Sequence, residues 1–167
     1  MAIGIETERK FIIRMPELSV LMCETGYRSS EITQTYFASE DGVTHRVRRR
    51  EYTDRTDYTE TKKTRISKMS VIEDERELTA EEYESLLGSH TVIGSLTKTR
   101  HIFLYGGHTV EIDIYPEWTK SCVLEVELSG EQESLTLPSY IEVLKDVTGS
   151  RAYSNHTMSQ KFPEELI

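Results

Sequence analysis

Acidic side chains recur along this chain two residues apart, as Glu6/Glu8, Glu73/Glu75/Glu77, Glu111/Asp113 and Glu125/Glu127. Basic side chains do the same, as Arg46/Arg48/Arg50 and Lys98/Arg100. A period of two puts each row on one face of a β-strand. Any one row alone fits the solvated face of an antiparallel sheet. The set of rows does not fit so simply. Like charges at adjacent same-face positions repel, and a surface that serves only solubility mixes its signs. Rows of one sign on separate strands point to a partner held between them. Carboxylate rows offer hard oxygen ligands to Mg²⁺ or Mn²⁺. Arginine and lysine rows suit phosphate oxygens, with arginine able to bind in bidentate fashion. The chemistry expected is recognition of a polyanion together with divalent cations.

These rows need strands to carry them. Period-two alternation dominates the chain and predicts eight strands, over residues 3–13, 32–38, 43–51, 58–65, 70–78, 96–105, 108–115 and 122–128. In the first, Glu6, Glu8 and Lys10 share a face with Ile12, opposite Ile5, Thr7, Arg9, Phe11 and Ile13. Asp41-Gly42 and Gly106-Gly107 mark turns. Helices are expected over 16–26, after the capping box Thr79-Ala-Glu-Glu82 with a stop at Gly88, and from Pro138 through Ile141, Leu144 and Val147 to Gly149. A sheet closed with its charged faces inward would enclose a polar lumen. Its apolar faces would point outward and need cover from the helices. His45 and His101 alternate onto those outer faces, and Trp118 reads as a packing aromatic.

Length and composition bound the rest. At ~150 residues per domain, 167 residues make one domain over 1–167. The formal net charge of −9 argues against long nucleic acid on the outside. No apolar run approaches the ~20 residues of a membrane helix, and no signal-peptide pattern precedes the first strand. Cys23 and Cys122 form no disulfide framework and have no metal-type spacing. A reducing, cytoplasmic location is therefore expected. The oligomeric state stays open between monomer and homodimer.

The motifs also occur in a known order. Glu6-Thr-Glu8-Arg-Lys10 resembles the ExExK signature of the CYTH domain, or triphosphate tunnel metalloenzyme, family. Arg46-Val-Arg48 resembles its RxR strand, Thr61-Lys-Lys63 its TxK strand, and Glu75-Arg-Glu77 its ExE strand. Lys98-Thr-Arg100 is similar to its KxR strand, and Glu111-Ile-Asp113 and Glu125-Val-Glu127 to its paired acidic strands. Arg151-Ala-Tyr153-Ser-Asn155 is similar to its closing segment. Two points depart from the pattern. Glu73 stands where the family often has arginine, and Lys62 and Lys63 compete for the inward position, with TxK favouring Lys63.

The resemblance implies a mainly β, α+β fold: an eight-stranded antiparallel closed tunnel with a polar lumen and a few covering helices. It also implies a triphosphate substrate. On this reading Glu6, Glu8 and Glu127 hold a metal. Glu111, Asp113 and Glu125 bind a second ion or orient the attacking water, so that two Mg²⁺ or Mn²⁺ ions are expected. Lys10, Arg46, Arg48, Lys63, Lys98, Arg100 and Arg151 bind the phosphate chain, and Lys10 also offsets charge developing in transfer. Glu75 and Glu77 hold the basic side chains in place, while Tyr36, Tyr153 and Asn155 are lumen or end-plug candidates. Arg49 and Arg50 are assigned to the rim or the surface. The expected activity is metal-dependent hydrolysis of inorganic tripolyphosphate, a metal-activated water releasing phosphate. The alternatives are a class IV-type adenylate cyclase, a thiamine-triphosphatase, or a polyphosphate-binding module without chemistry.

Overall fold

The computed structural model describes residues 2–167. Nine strands run in chain order as β1 (Ala2–Arg14), β2 (Arg28–Phe37), β3 (Val43–Glu51), β4 (Thr56–Arg65), β5 (Ser70–Leu78), β6 (Val92–Tyr105), β7 (His108–Ile114), β8 (Ser121–Glu127) and β9 (Val143–Asp146). Three helices accompany them: α1 (Leu18–Leu21), α2 (Ala80–Ser89) and α3 (Asn155–Gln160). A 3₁₀ turn, Arg151–Tyr153, precedes α3.

The first eight strands close on themselves. The pairing order β5-β4-β3-β2-β6-β7-β8-β1 returns to its start through β1–β5 pairing. Every pairing is antiparallel. The length of β1 makes this closure work. Its residues Ala2–Thr7 pair with β5, and Glu8–Arg14 pair with β8.

That division leaves the far half of β1 without a neighbour where β5 ends, and an open strand edge needs a partner. The chain supplies β9, which pairs with Phe11–Ile13. This corrects the helix expected from Pro138. The spacing of Ile141, Leu144 and Val147 mimics a helical stripe. In the structure, however, Ile141 packs against one cluster and Leu144 and Val147 against another. Of the three, only Leu144 lies within β9, and Ile141 and Val147 flank it. The helix expected over 16–26 is also shorter, a single turn that buries only Leu21. The capping box at Thr79 forms as expected, with both reciprocal hydrogen bonds present.

Three apolar clusters divide the packing. Phe11, Ile13, Phe103, Val110, Ile112, Leu124 and Val126 lie on the face opposite the charged rows, joined by Leu21. Phe37, Val47, Leu78 and Tyr83 form a second patch, through which α2 covers the barrel. The third cluster fills part of the lumen itself. Continuing the inward rows of Lys10, Lys98, Asp113 and Glu125 gives Ile12, Leu96, Tyr115 and Val123, and these form one buried group with Trp118, Val147, Tyr153 and Met158. The lumen is thus polar over one stretch and plugged by apolar side chains at one end. Each fully buried aliphatic side chain there contributes about 1.5–3 kcal/mol. Tyr153 belongs to this plug, 9% exposed, and does not line the polar stretch. Trp118 is buried as a packing aromatic.

Gly94 lets α3 dock on β6, since a Cβ there would meet Ser159 Oγ at 2.5 Å. Among the described residues, no helix is long and apolar enough to cross a membrane.

Candidate functional site

The polar stretch of the lumen is a cavity of about 810 Å³. Alternation along the strands delivers its charged walls. From β1 come Glu6, Glu8 and Lys10; from β3 come Arg46, Arg48 and Arg50; from β4 comes Lys63. β5 presents Glu73 and Glu75, β6 Arg100, β7 Glu111, and β8 Glu125 and Glu127. Tyr36, Arg151 and Asn155 complete the set. Lys63 faces the cavity and Lys62 is exposed, which resolves the choice between them.

Four residues expected at the site do not reach this surface: Lys98, Asp113, Glu77 and Tyr153. Glu77 is exposed, beyond the end of the inward row. Asp113 and Lys98 lie beneath the cavity wall, each 1% exposed. Both Asp113 oxygens accept hydrogen bonds from Arg100, at 2.8 Å from Nε and 2.9 Å from Nη2. Lys98 Nζ stands 2.8 Å from Asp113 Oδ2. Asp113 is therefore a buried counter-ion. Burial alone would raise its pKa, but Arg100 and then Lys98 hold the carboxyl well below its ordinary range. Conversely, Arg50 lines the cavity, where a rim or surface position was expected. Its place in the row with Arg46 and Arg48 was the available signal. His156, Ile93 and Gln160, which also line the cavity, had no signal in the strand period.

The charged side chains sort into two groups. Some are already paired. Lys10 Nζ is 3.3 Å from Glu125 Oε1, and Arg100 Nη1 is 2.8 Å from Glu111 Oε2. Lys63 Nζ lies between Glu6 at 3.1 Å and Glu73 at 3.4 Å. Burial opposes ionisation of Glu125, but Lys10, with help from Arg100 and Lys98, lowers its pKa to about 2. Glu125 is thus a fixed anion at neutral pH.

The others lack a partner of opposite charge. Among the described residues Arg46, Arg48, Arg50 and Arg151 take part in none of the ion pairs. Arg48 donates to Gln34 Oε1 at 3.0 Å and Arg50 to Ser30 Oγ at 2.9 Å. The Nε atoms of Arg46 and Arg48 are buried with no hydrogen-bond acceptor. Burial, then the neighbouring Arg46 and Arg100, lower the Arg48 pKa to about 9. This corner of the cavity is crowded with cations, although, against burial, Tyr36, then Glu6 and Glu73, hold the Arg46 pKa above its ordinary value.

The complementary corner is short of cations. Glu8 and Glu127 sit opposite each other in the β1–β8 register, and neither has an ion-pair partner among the described residues. Burial, then Glu125 and Glu6, push the Glu8 carboxyl well above its ordinary range. Burial, then Glu111 and Glu6, also raise Glu127. Glu75 accepts only a neutral hydrogen bond, from Thr61 Oγ1 at 2.8 Å. Among the described residues, no three carboxylate, histidine or cysteine side chains stand close enough to form a finished metal cage. The donor chemistry still fits a divalent cation, because it is all oxygen, concentrated in one wall and under-neutralised.

A stability prediction follows from Glu8. A carboxyl whose pKa rises on folding costs stability above that raised pKa, and the cost disappears below the unfolded value. Glu8→Gln is expected to raise Tm at neutral pH and leave it unchanged at pH 4. A chain of this length shifts by roughly 2–4 °C per kcal/mol. Thermal scans at the two pH values check this, and a lower Tm for the variant at pH 7 would contradict it.

The molecule is a closed antiparallel barrel with guanidinium and carboxylate corners in its lumen. The chain belongs to the CYTH domain family, whose model matches residues 4–159. Among solved structures, an inorganic triphosphatase superposes with a TM-score of 0.60 at 22% identity, over 95% of this chain and 97% of that one. A candidate adenylyl cyclase from Hippeastrum with a dominant triphosphatase activity gives 0.54 at 15% identity, covering 74% and 80% of the two chains. A candidate adenylate cyclase from Bacillus halodurans gives 0.59 at 20%, covering 78% and 84%. A search of curated protein sequences finds no significant match.

Proposed function

We propose that this protein is a metal-dependent triphosphate hydrolase that prefers inorganic tripolyphosphate. The observation that carries this reading is the separation of unpartnered charges within one cavity. Four arginines lack an anion and a group of carboxylates lacks a cation, and a metal-complexed polyphosphate supplies both. Family membership and the triphosphatase among the structural neighbours add support.

Residue roles follow from this geometry. Arg46, Arg48, Arg50 and Arg151 grip phosphate oxygens, and Arg100, Lys10 and Lys63 neutralise charge along the chain. Glu6, Glu8 and Glu127 would hold Mg²⁺ or Mn²⁺. When bound, the cation supplies neutralisation of phosphate charge. Glu111, paired with Arg100, and Glu125, paired with Lys10, orient a water towards the terminal phosphorus. That water forms the new P–O bond as the bond to the bridging oxygen breaks, and its proton leaves through the carboxylate wall. Asp113 and Lys98 take no direct part; Asp113, itself paired with Lys98, holds Arg100 in place. The partner is a small triphosphate, and the net charge of −9 disfavours long nucleic acid.

A second reading draws on the cavity's size. About 810 Å³ leaves room beyond three phosphates, and Ile93, Tyr36 and His156 wall part of it. ATP would fit such a space, with its ribose 3′-oxygen attacking the α-phosphorus to give cyclic AMP and pyrophosphate. One assay separates the readings. Tripolyphosphate and ATP are each incubated with Mg²⁺ or Mn²⁺, and phosphate, pyrophosphate and cyclic AMP are measured. Phosphate from tripolyphosphate, dependent on the metal, is expected as the fastest reaction. Cyclic AMP with pyrophosphate as the main products would overturn that choice.

A further inference from the structure

Lys63 differs from the other cavity cations in having two carboxylates on one ammonium group. Its Nζ is held between Glu6 on β1 and Glu73 on β5. Strand register fixes this arrangement. Lys63 is paired directly with Glu73 across β4–β5, and Glu73 with Gly4 across β5–β1, two residues along from Glu6. The three side chains are each about a quarter exposed or less, at 24%, 22% and 22%, so water screens them only in part. Glu73 and Glu6 also repel each other, and Lys63 holds them together.

We infer that Glu73 is a specificity determinant that makes the site select the metal-complexed form of a triphosphate over the free polyanion. The inference rests on the triphosphate reading above. A bare polyphosphate can reach Lys63 only by displacing two carboxylates, which then face the incoming anion with no counter-ion. A substrate that arrives with a divalent cation compensates those carboxylates, and Lys63 becomes available to phosphate at little electrostatic cost. Of the two carboxylates, Glu6 shares its strand face with Glu8 and belongs to the proposed metal wall. Glu73 lies on β5, outside that wall, and its ion-pair contact is likewise Lys63. Removing its charge should loosen the requirement for metal without removing the metal wall.

The test is calorimetric titration of tripolyphosphate into wild type, Glu73→Gln and Glu73→Gln/Lys63→Met, each with excess chelator and each with Mg²⁺. For Glu73→Gln the metal-free affinity is expected to rise roughly tenfold, about 1.4 kcal/mol, while the affinity with Mg²⁺ changes far less. The gain should vanish in the double variant, because it is exerted through Lys63. Unchanged or weaker metal-free binding by Glu73→Gln would overturn the inference, as would a gain that survives loss of Lys63. Wild type that binds no tripolyphosphate with Mg²⁺ would instead defeat the triphosphate reading itself.

Discussion

Replacing Arg48 with methionine is expected to lower kcat/KM for tripolyphosphate by about 100-fold to 1,000-fold, the usual loss on removing one charge-stabilising donor. The same variant should melt at or above the wild-type temperature. The Arg48 Nε is buried with no acceptor, and burial with the neighbouring Arg46 and Arg100 lowers its pKa to about 9. An uncompensated buried charge opposes folding, while methionine keeps most of the length and packs as an apolar group. A structural arginine would behave in the opposite way and lose stability and activity together. The pair of signs therefore distinguishes a charge kept for a ligand from a charge kept for the fold. Steady-state kinetics and a thermal scan on one preparation check both.

Asp113→Asn should produce the second large effect, this time on stability. It strands Lys98 in a buried site and leaves Arg100 with Glu111 alone, and breaking a buried ion pair on one side typically costs about 3–5 kcal/mol. At roughly 2–4 °C per kcal/mol this amounts to a Tm drop on the order of 10 °C. Adding Lys98→Met removes the stranded cation, so the double variant should recover part of the loss, a coupling that a merely local packing defect would not give. The pH dependence has a definite sign. Asp113 has a folded pKa held well below its unfolded value. It contributes stability that is present above about pH 4 and lost as pH falls below it. The gap between wild type and Asp113→Asn should therefore narrow in acid, and denaturation series at pH 7 and pH 3 measure that narrowing. A constant gap between the two proteins would contradict the assignment of Asp113 as a counter-ion.

The period of two made most of the barrel legible from sequence. It placed Glu6, Glu8 and Lys10 on one face of β1 and Phe11 and Ile13 on the other, as found. It also carried the row Arg46/Arg48/Arg50 into the cavity, although Arg50 was expected at the rim or surface. What alternation cannot encode is depth along a row. Lys98 and Asp113 have the correct inward parity, yet sit one step below the cavity wall, where the same rows turn into Leu96 and Tyr115. Two inward charges of opposite sign on neighbouring strands become an ion pair when the plug excludes water from them, and a ligand site when it does not. β9 was hidden for another reason. Val143–Asp146 is short and half polar, and it is a strand because β1 outruns β5 and leaves an edge to pair. That vacancy follows from register between distant segments. The walls contributed by Ile93, His156 and Gln160 depend in the same way on α3 docking at Gly94.

The central claim is that the unpartnered charges of the lumen await a metal-complexed triphosphate, and calorimetric titration of tripolyphosphate with Mg²⁺ tests it most directly. Wild type is predicted to bind one equivalent, with an affinity that falls at least tenfold in chelator and about 100-fold in Arg48→Met. Equal binding by wild type and Arg48→Met, or heat of binding that is indifferent to Mg²⁺, would contradict it.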